Sequence, residues 1–350
     1  MTNCFFIVCL SVVLAAYLFW GIRTLPRERW QILAAVPVRK KEGDRWDGIN
    51  FTWYGLLTGN AYVVAVAVLF VLMGAVGVPL AGTASMAVIM LACCVPSSRL
   101  VARIVENKAH TFTVGGAVFV GVLLAPAVVW LVNRAIGTVL AFSISSAAAL
   151  AALAIAYAFG EGLGRLACIS FGCCYGKPLD DSPSWLQRLF AGRTFIFYGK
   201  TRKIAYAGGL EGERVLPVQA LTAFIYSCSA LAATGLFLNS RYALAFFLAL
   251  SSTQSWRVFS ETLRADHRGA GTFSAYQVMG LISLFYGMAI ILLSPNGSAA
   301  PPDIAKGLTS LWHPAPLLFL QLTWLIIFSY TGRSTVTGAT LSFHVHHDRI

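Results

Sequence analysis

The sequence predicts an all-α, polytopic integral membrane protein. Three observations predict it. Of its 350 residues, 57% are hydrophobic and only 11% charged, a balance that soluble domains do not have. The apolar residues gather in long uncharged runs of membrane-spanning length. Short polar or basic stretches separate those runs. The net charge of +12 in such a chain points to loops beside anionic lipid and away from nucleic acid. The eight cysteines suggest no disulfide framework, because Cys4, Cys9, Cys93, Cys94 and Cys228 lie inside apolar runs, where cysteine acts as a small hydrophobe.

Nine apolar segments follow in order. The first, residues 4–22, has its basic residues after it, so it reads as an uncleaved anchor helix. A basic linker to residue 50 carries Arg39, Lys40 and Lys41, and Trp30, Trp46 and Trp53 suit an interface. The second segment (52–78) turns through Pro79 and Gly82 into the third (80–95). Arg99 and Arg103 come next, and share a face if the helix continues. The fourth (112–132) opens Thr113-Val114-Gly115-Gly116. The fifth (139–159) is rich in alanine and serine, as close helix packing in a membrane requires. A polar region to about residue 214 is too long for an idle connection and reads as a small folded head or a lid. The sixth (215–238), seventh (242–258) and eighth (273–293) segments follow. A Pro/Gly/Ser linker, a ninth segment (314–330) and a tail with His344, His346 and His347 close the sequence. The tail reads as disordered. No internal repeat is visible.

The fifth segment delivers Gly160-Glu-Gly-Leu-Gly-Arg-Leu-Ala-Cys-Ile-Ser-Phe-Gly-Cys-Cys-Tyr-Gly-Lys177. Its glycines permit a turn or a close helix approach. Arg165, at the end of an uncharged segment, is expensive without a partner and so marks a functional candidate; the alternative is a snorkelling arginine in a helix-to-loop bend. Cys168, Cys173 and Cys174 admit three readings. They are packing residues, or a thiolate favoured by Arg165, or metal ligands. The metal reading lacks a fourth ligand and has adjacent cysteines, so no metal or other cofactor is expected.

Because successive segments alternate direction, the loops sort onto two sides. All Lys and Arg except Arg134, Arg241 and Lys306 fall on one side. Tyr54, Arg99, Arg165, Gln219, Arg257, Glu261 and Gln277 fall there too. Converging arginines hold a phosphate bidentately, and in a bilayer that phosphate belongs to a phospholipid. Arg257 and Glu261, at i and i+4, suit an ion pair that orients the guanidinium. Arg165 and Arg257 are expected to bound one cavity. The bland alternative pairs these arginines with Glu106, Glu161, Glu261 and Asp266 alone.

The order of motifs resembles the prolipoprotein diacylglyceryl transferase family. Those motifs are Trp53-Tyr54-Gly55-Leu56, Ser98-Arg99-Leu100, Gly115-Gly116, Gly164-Arg165-Leu166 through Gly172-Cys-Cys-Tyr-Gly176-Lys-Pro178, Pro217-x-Gln219, Arg257-x-x-x-Glu261-x-x-Arg264-x-Asp266 and Ser274-x-x-Gln277. The resemblance covers segments two to eight. It divides the chain into residues 1–50 (an added helix and basic linker), 51–294 (the transferase-like core, with a head at about 177–214) and 295–350 (linker, added helix and tail). It implies transfer of the diacylglyceryl group of phosphatidylglycerol, or a related anionic phospholipid, to the thiol of a lipoprotein precursor or another acceptor in a bacterial inner membrane. On the resemblance, Arg165 and Arg257 hold the phosphate and Glu261 orients Arg257. Tyr54, Arg99, Gly164, Gly176, Gln219 and Gln277 belong to the lipid site.

The chain departs from the family where protons are handled. Val114 stands where the family has the histidine of His-Gly-Gly, and His110 lies one turn earlier. Cys168 and Cys173 replace an asparagine and a glutamate, and Leu216 replaces the histidine of His-Pro-x-Gln. Two further readings therefore stay open: an enzyme of the same fold that uses another acceptor or transfers a different part of the lipid, and a phospholipid-binding pseudoenzyme that supports a partner. The positive-inside rule puts the arginine-rich side in the cytoplasm, whereas the resemblance puts it outside. The charge count predicts a cytoplasmic site.

Overall fold

Nine long helices run back and forth through the computed structural model, which describes residues 2–106, 113–266, 273–293 and 301–350. Helix α1 spans Thr2–Thr24. Strands β1 (Ile32–Lys40) and β2 (Arg45–Thr52) follow and lead directly into α2 (Trp53–Ala75). Helix α3 (Leu80–Glu106) continues through Pro96, so Arg99 and Arg103 share one helix. Helix α4 (Val114–Val132) ends in a wide turn at Asn133–Gly137, and α5 spans Ser146–Phe171. The head comprises α6 (Ser184–Phe190), β3 (Phe195–Ile196), α7 (Lys203–Tyr206) and β4 (Arg214–Val215). Helices α8 (Val218–Leu238), α9 (Tyr242–Ser260) and α10 (Ala275–Leu293) complete the inner bundle. A short α11 (Ile304–Leu311), α12 (Pro314–Thr331) and β5 (Arg333–Ser342) close the chain.

Eight of the long helices are long and apolar enough to cross a membrane. The other is α9, whose second half carries Ser251, Ser252, Thr253, Gln254, Ser255 and Arg257. Several of these turn inward: Thr253 and Gln254 are almost completely buried and Arg257 is buried, while Ser255 is exposed. The chain is thus an all-α, multi-pass membrane protein, with small sheets added on one side.

Helix α5 is the axis, buried along nearly its whole length. Its alanines and glycines let neighbours approach where larger side chains would hold them off. A Cβ on Gly160 would sit 2.9 Å from the Ala65 Cβ, and one on Gly164 would sit 3.8 Å from the Ala61 Cβ. Gly160 and Gly164 thus meet Ala61 and Ala65 of α2 as two small-xxx-small ridges. Gly162 faces Tyr226 and Ser227 of α8 in the same way. Of the two readings of these glycines, the close helix approach holds here and the bend lies later. They serve packing, the helix runs on to Phe171, and only Gly172 turns the chain, at φ +68°. Arg165 is consequently a helical residue.

The basic linker and the tail, which the sequence left without structure, form one antiparallel sheet in the order β1-β2-β5. Val36 pairs with Ile49, and Asp47 with Thr340. The sheet joins the two ends of the chain over α2 and α12, where Phe51 stacks on Phe328 at 5.3 Å.

The expected head is present and is tied to the bundle. Lys177 N–H donates to Leu263 O at 2.9 Å and Ala265 N–H to Tyr175 O at 3.1 Å. Its hub is Arg202, fully buried, which donates to Ile169 O (3.0 Å), Leu25 O (2.8 Å) and Glu28 O. One guanidinium thus caps the C-terminal ends of α1 and α5, where unpaired carbonyls and the helix dipole favour a cation. Burial lowers the Arg202 pKa to about 10 while Glu28 opposes that, so the cap stays charged at neutral pH.

Candidate active site

On α5, Tyr157, Glu161 and Arg165 are spaced four apart and so share one face. Arg257 reaches them from the last turn of α9. The Glu161 carboxylate accepts from Arg165 Nη2, and from Arg257 Nη2 at 2.6 Å. Tyr157 Oη donates to the other carboxylate oxygen and accepts from Arg257 Nη2 at 3.0 Å. Glu161, Arg165 and Arg257 are all buried. Nε of each arginine has no hydrogen-bond partner among the described residues. Two guanidiniums and one carboxylate leave one positive charge in excess. Burying that excess costs several kcal/mol unless an anion arrives.

The surroundings fix the cluster. Tyr226 donates to Thr253 O at 2.7 Å, and its ring meets the Tyr157 ring edge-on at 6.3 Å. Trp256 Nε1 donates to Thr222 Oγ1 at 2.8 Å, which links α9 to α8. Gly115 makes room for Arg257, since a Cβ there would lie 3.0 Å from Arg257 Nη1.

A cavity of about 290 Å³ opens beside the cluster. Tyr157, Glu161 and Arg165 form part of its polar wall, and residues such as Leu69, Leu91, Val122 and Leu150 its apolar wall. Arg257 does not line this cavity; it meets it through Tyr157 and Glu161. So the two arginines converge on one carboxylate, while only Arg165 faces the hollow.

The other expected residues divide into groups. Tyr54, Gly164 and Cys168 line the cavity, and Tyr54 packs on Phe171 at 5.6 Å. Val114, at the family's histidine position, lines it as well. His110 lies outside the described residues. Arg99 lies over the Tyr330 ring at 4.1 Å, joining α3 to α12. Gln219 Nε2 donates to Cys173 O at 2.9 Å, bracing the turn after α5. Gln277 donates to Val258 O at 3.0 Å and accepts from Ser274 N at 2.9 Å, in a separate hollow between α9 and α10. Gly176 bridges to Arg264, and a Cβ there would press on Leu216.

The expected Glu261–Arg257 pair is corrected. Glu261 starts a tight turn (Glu261–Leu263) beyond the end of α9, and its carboxylate lies 3.5 Å from Arg264. Arg264 also forms a two-pronged pair with Asp266, at 2.7 Å in each prong. Glu161 takes the place assigned to Glu261. Sequence reasoning gave Glu161 only a charge-balancing part and passed over Tyr157. The available signal was the Tyr-x3-Glu-x3-Arg spacing inside an otherwise apolar helix.

The fold and cluster define a class: a multi-pass membrane protein with a buried, net-cationic arginine pair beside an apolar cavity. The family model for prolipoprotein diacylglyceryl transferase matches residues 45–293. The chain belongs to that family. No curated protein matches it.

Proposed function

We propose that the protein transfers the diacylglyceryl group of phosphatidylglycerol to a cysteine thiol of a prolipoprotein, in a bacterial inner membrane. The observation that carries this reading is the convergence of Arg165 and Arg257 on one carboxylate beside an apolar cavity. A phosphodiester carries one negative charge and the cluster one positive charge in excess. The cavity is at the small end of ligand sites, which run from ~300 to 1,000 Å³. It therefore takes the glyceryl end of the lipid, and the acyl chains continue into the bilayer.

In this reading the acceptor sulfur attacks the terminal glyceryl carbon. A C–S bond forms, the C–O bond to phosphate breaks, and glycerol phosphate leaves with the electron pair. The leaving group gains a second negative charge as the bond breaks. With valine at the histidine position, Glu161 is the nearest base on the clamp. Taking the thiol proton neutralises Glu161, so the cluster rises from one to two excess positive charges as the leaving group reaches two negative ones. Stabilisation that grows with the transition-state charge is the kind that raises rate.

The test is purified protein with phosphatidylglycerol and a lipoprotein-precursor peptide. The expected result is one glycerol phosphate released per thioether formed, both lost in Arg257→Lys. Release without a thioether would reject transfer to this acceptor. A second reading, the same chemistry on a different acceptor thiol, is favoured by the basic charge on the site side, which argues for a cytoplasmic opening. Labelling of a cysteine introduced at Lys200 from outside intact cells would remove that support.

A further inference from the structure

We infer that Cys168, Cys173 and Cys174 form a binding site for one soft monovalent metal ion of the Cu(I) type, three-coordinate and all-thiolate. Their Sγ atoms lie within 4.8 Å of one another. A metal–sulfur bond of about 2.3 Å sets three sulfurs of a planar trigonal site about 4 Å apart, so a small contraction completes it. Among the described residues no histidine or carboxylate joins the three. Zinc in structural sites asks for four ligands, whereas soft thiolate sets favour Cu(I). The missing fourth ligand, which weighs against zinc, therefore selects the softer ion.

The backbone is built to bring the thiols together. Gly172 ends α5 at φ +68°, and Cys174 follows at φ +56°. Left-handed backbone is ordinary for glycine and strained for cysteine. The two turns fold Cys173 and Cys174 back onto Cys168 in the last turn of the helix, and Cys173 N–H donates to Cys168 O at 3.1 Å. Gln219 then holds Cys173 O. None of the eight cysteines is in a disulfide. On binding, each metal–sulfur bond replaces an S–H bond and the protons pass to the buffer. Cys168 is one turn beyond Arg165, so an ion there fixes the end of α5 that carries the clamp.

The inference does not rest on the transferase reading, and its test needs no lipid. The full chain, in detergent and under anaerobic reducing conditions, is titrated with Cu(I) against a Cu(I) chelator. We expect one ion per chain, three sulfur neighbours by X-ray absorption, and retention of the ion against excess Zn(II). Binding is expected to fall at least tenfold in Cys168→Ser, Cys173→Ser and Cys174→Ser but to persist in a Cys93→Ser, Cys94→Ser double variant. Should the serine variants fail to fold, alkylation mapped on the wild-type chain decides: Cu(I) should shield Cys168, Cys173 and Cys174 together. Four ligands, a preference for zinc, or unchanged alkylation of the three thiols would overturn the assignment.

Discussion

Arg202 in the head and Arg257 in the bundle are both buried, and both leave Nε without a hydrogen-bond partner among the described residues. They differ in what holds the rest of the guanidinium. Arg202 is gripped by three main-chain carbonyls, of Ile169 in α5 and of Leu25 and Glu28 just beyond α1, which cannot leave without moving the backbone. Arg257 is held by a side-chain carboxylate and a phenol, both of which it shares. A carboxylate can rotate away or accept a proton. The comparison teaches that burial alone does not mark a functional arginine in a membrane protein. On the proposed reading, a partner that can be exchanged does.

The largest expected effects separate the two arginines. Arg202→Ala leaves three carbonyls unsatisfied at roughly 1–3 kcal/mol each, so it should lower the melting temperature sharply or prevent folding. Arg257→Lys keeps the charge but loses the planar fork. It should reduce turnover by about 10²–10³-fold, the cost of losing one transition-state donor, while leaving the melting temperature close to wild type. A stable Arg202→Ala protein, or an unstable but active Arg257→Lys protein, would break the distinction.

Glu161→Gln sharpens it. Replacing the shared carboxylate raises the cluster to two excess positive charges with little change in shape. Binding of phosphatidylglycerol should tighten several-fold while thioether formation falls by at least tenfold. A carboxylate that merely balances charge would give tighter binding and unchanged turnover. Tyr157→Phe, which removes one donor from Glu161 and one acceptor from Arg257, should cost about tenfold in turnover, or ~1.4 kcal/mol. The smallest effect belongs to Glu261→Gln. With Arg264 still paired to Asp266, turnover should change less than threefold; a loss as large as that of Arg257→Lys would restore Glu261 to the clamp.

Eight of the nine long helices were legible because lipid imposes a length and a polarity on each one, and the ninth, α9, through its apolar first half. Arg165 and Arg257 were legible because a cation at the end of such a segment needs a reason. The partner of Arg257 was not. Glu261 has the right spacing for an ideal helix, but α9 stops at Ser260, and Glu161 lies on another helix that sequence spacing does not address. The β1-β2-β5 sheet was hidden for a related reason. Its strands pair residues nearly 300 positions apart (Asp47 with Thr340), and the basic composition of the first hairpin masked its alternation. The sequence allowed the glycines of α5 either a turn or a close helix approach, and the ridge that decides between them, Ala61 and Ala65, is visible only in three dimensions. The thiol cluster depends on the left-handed turn at Cys174, which no sequence rule for cysteine anticipates.

The clamp itself is tested most directly by a structure of the protein with phosphatidylglycerol bound in a lipid nanodisc. The account predicts the lipid phosphate within hydrogen-bond distance of both Arg165 and Arg257, with the glyceryl carbons in the cavity beside Tyr54 and Val114 and at least one arginine released from Glu161. A phosphate bound elsewhere, with Glu161 still bridging both arginines, would contradict it.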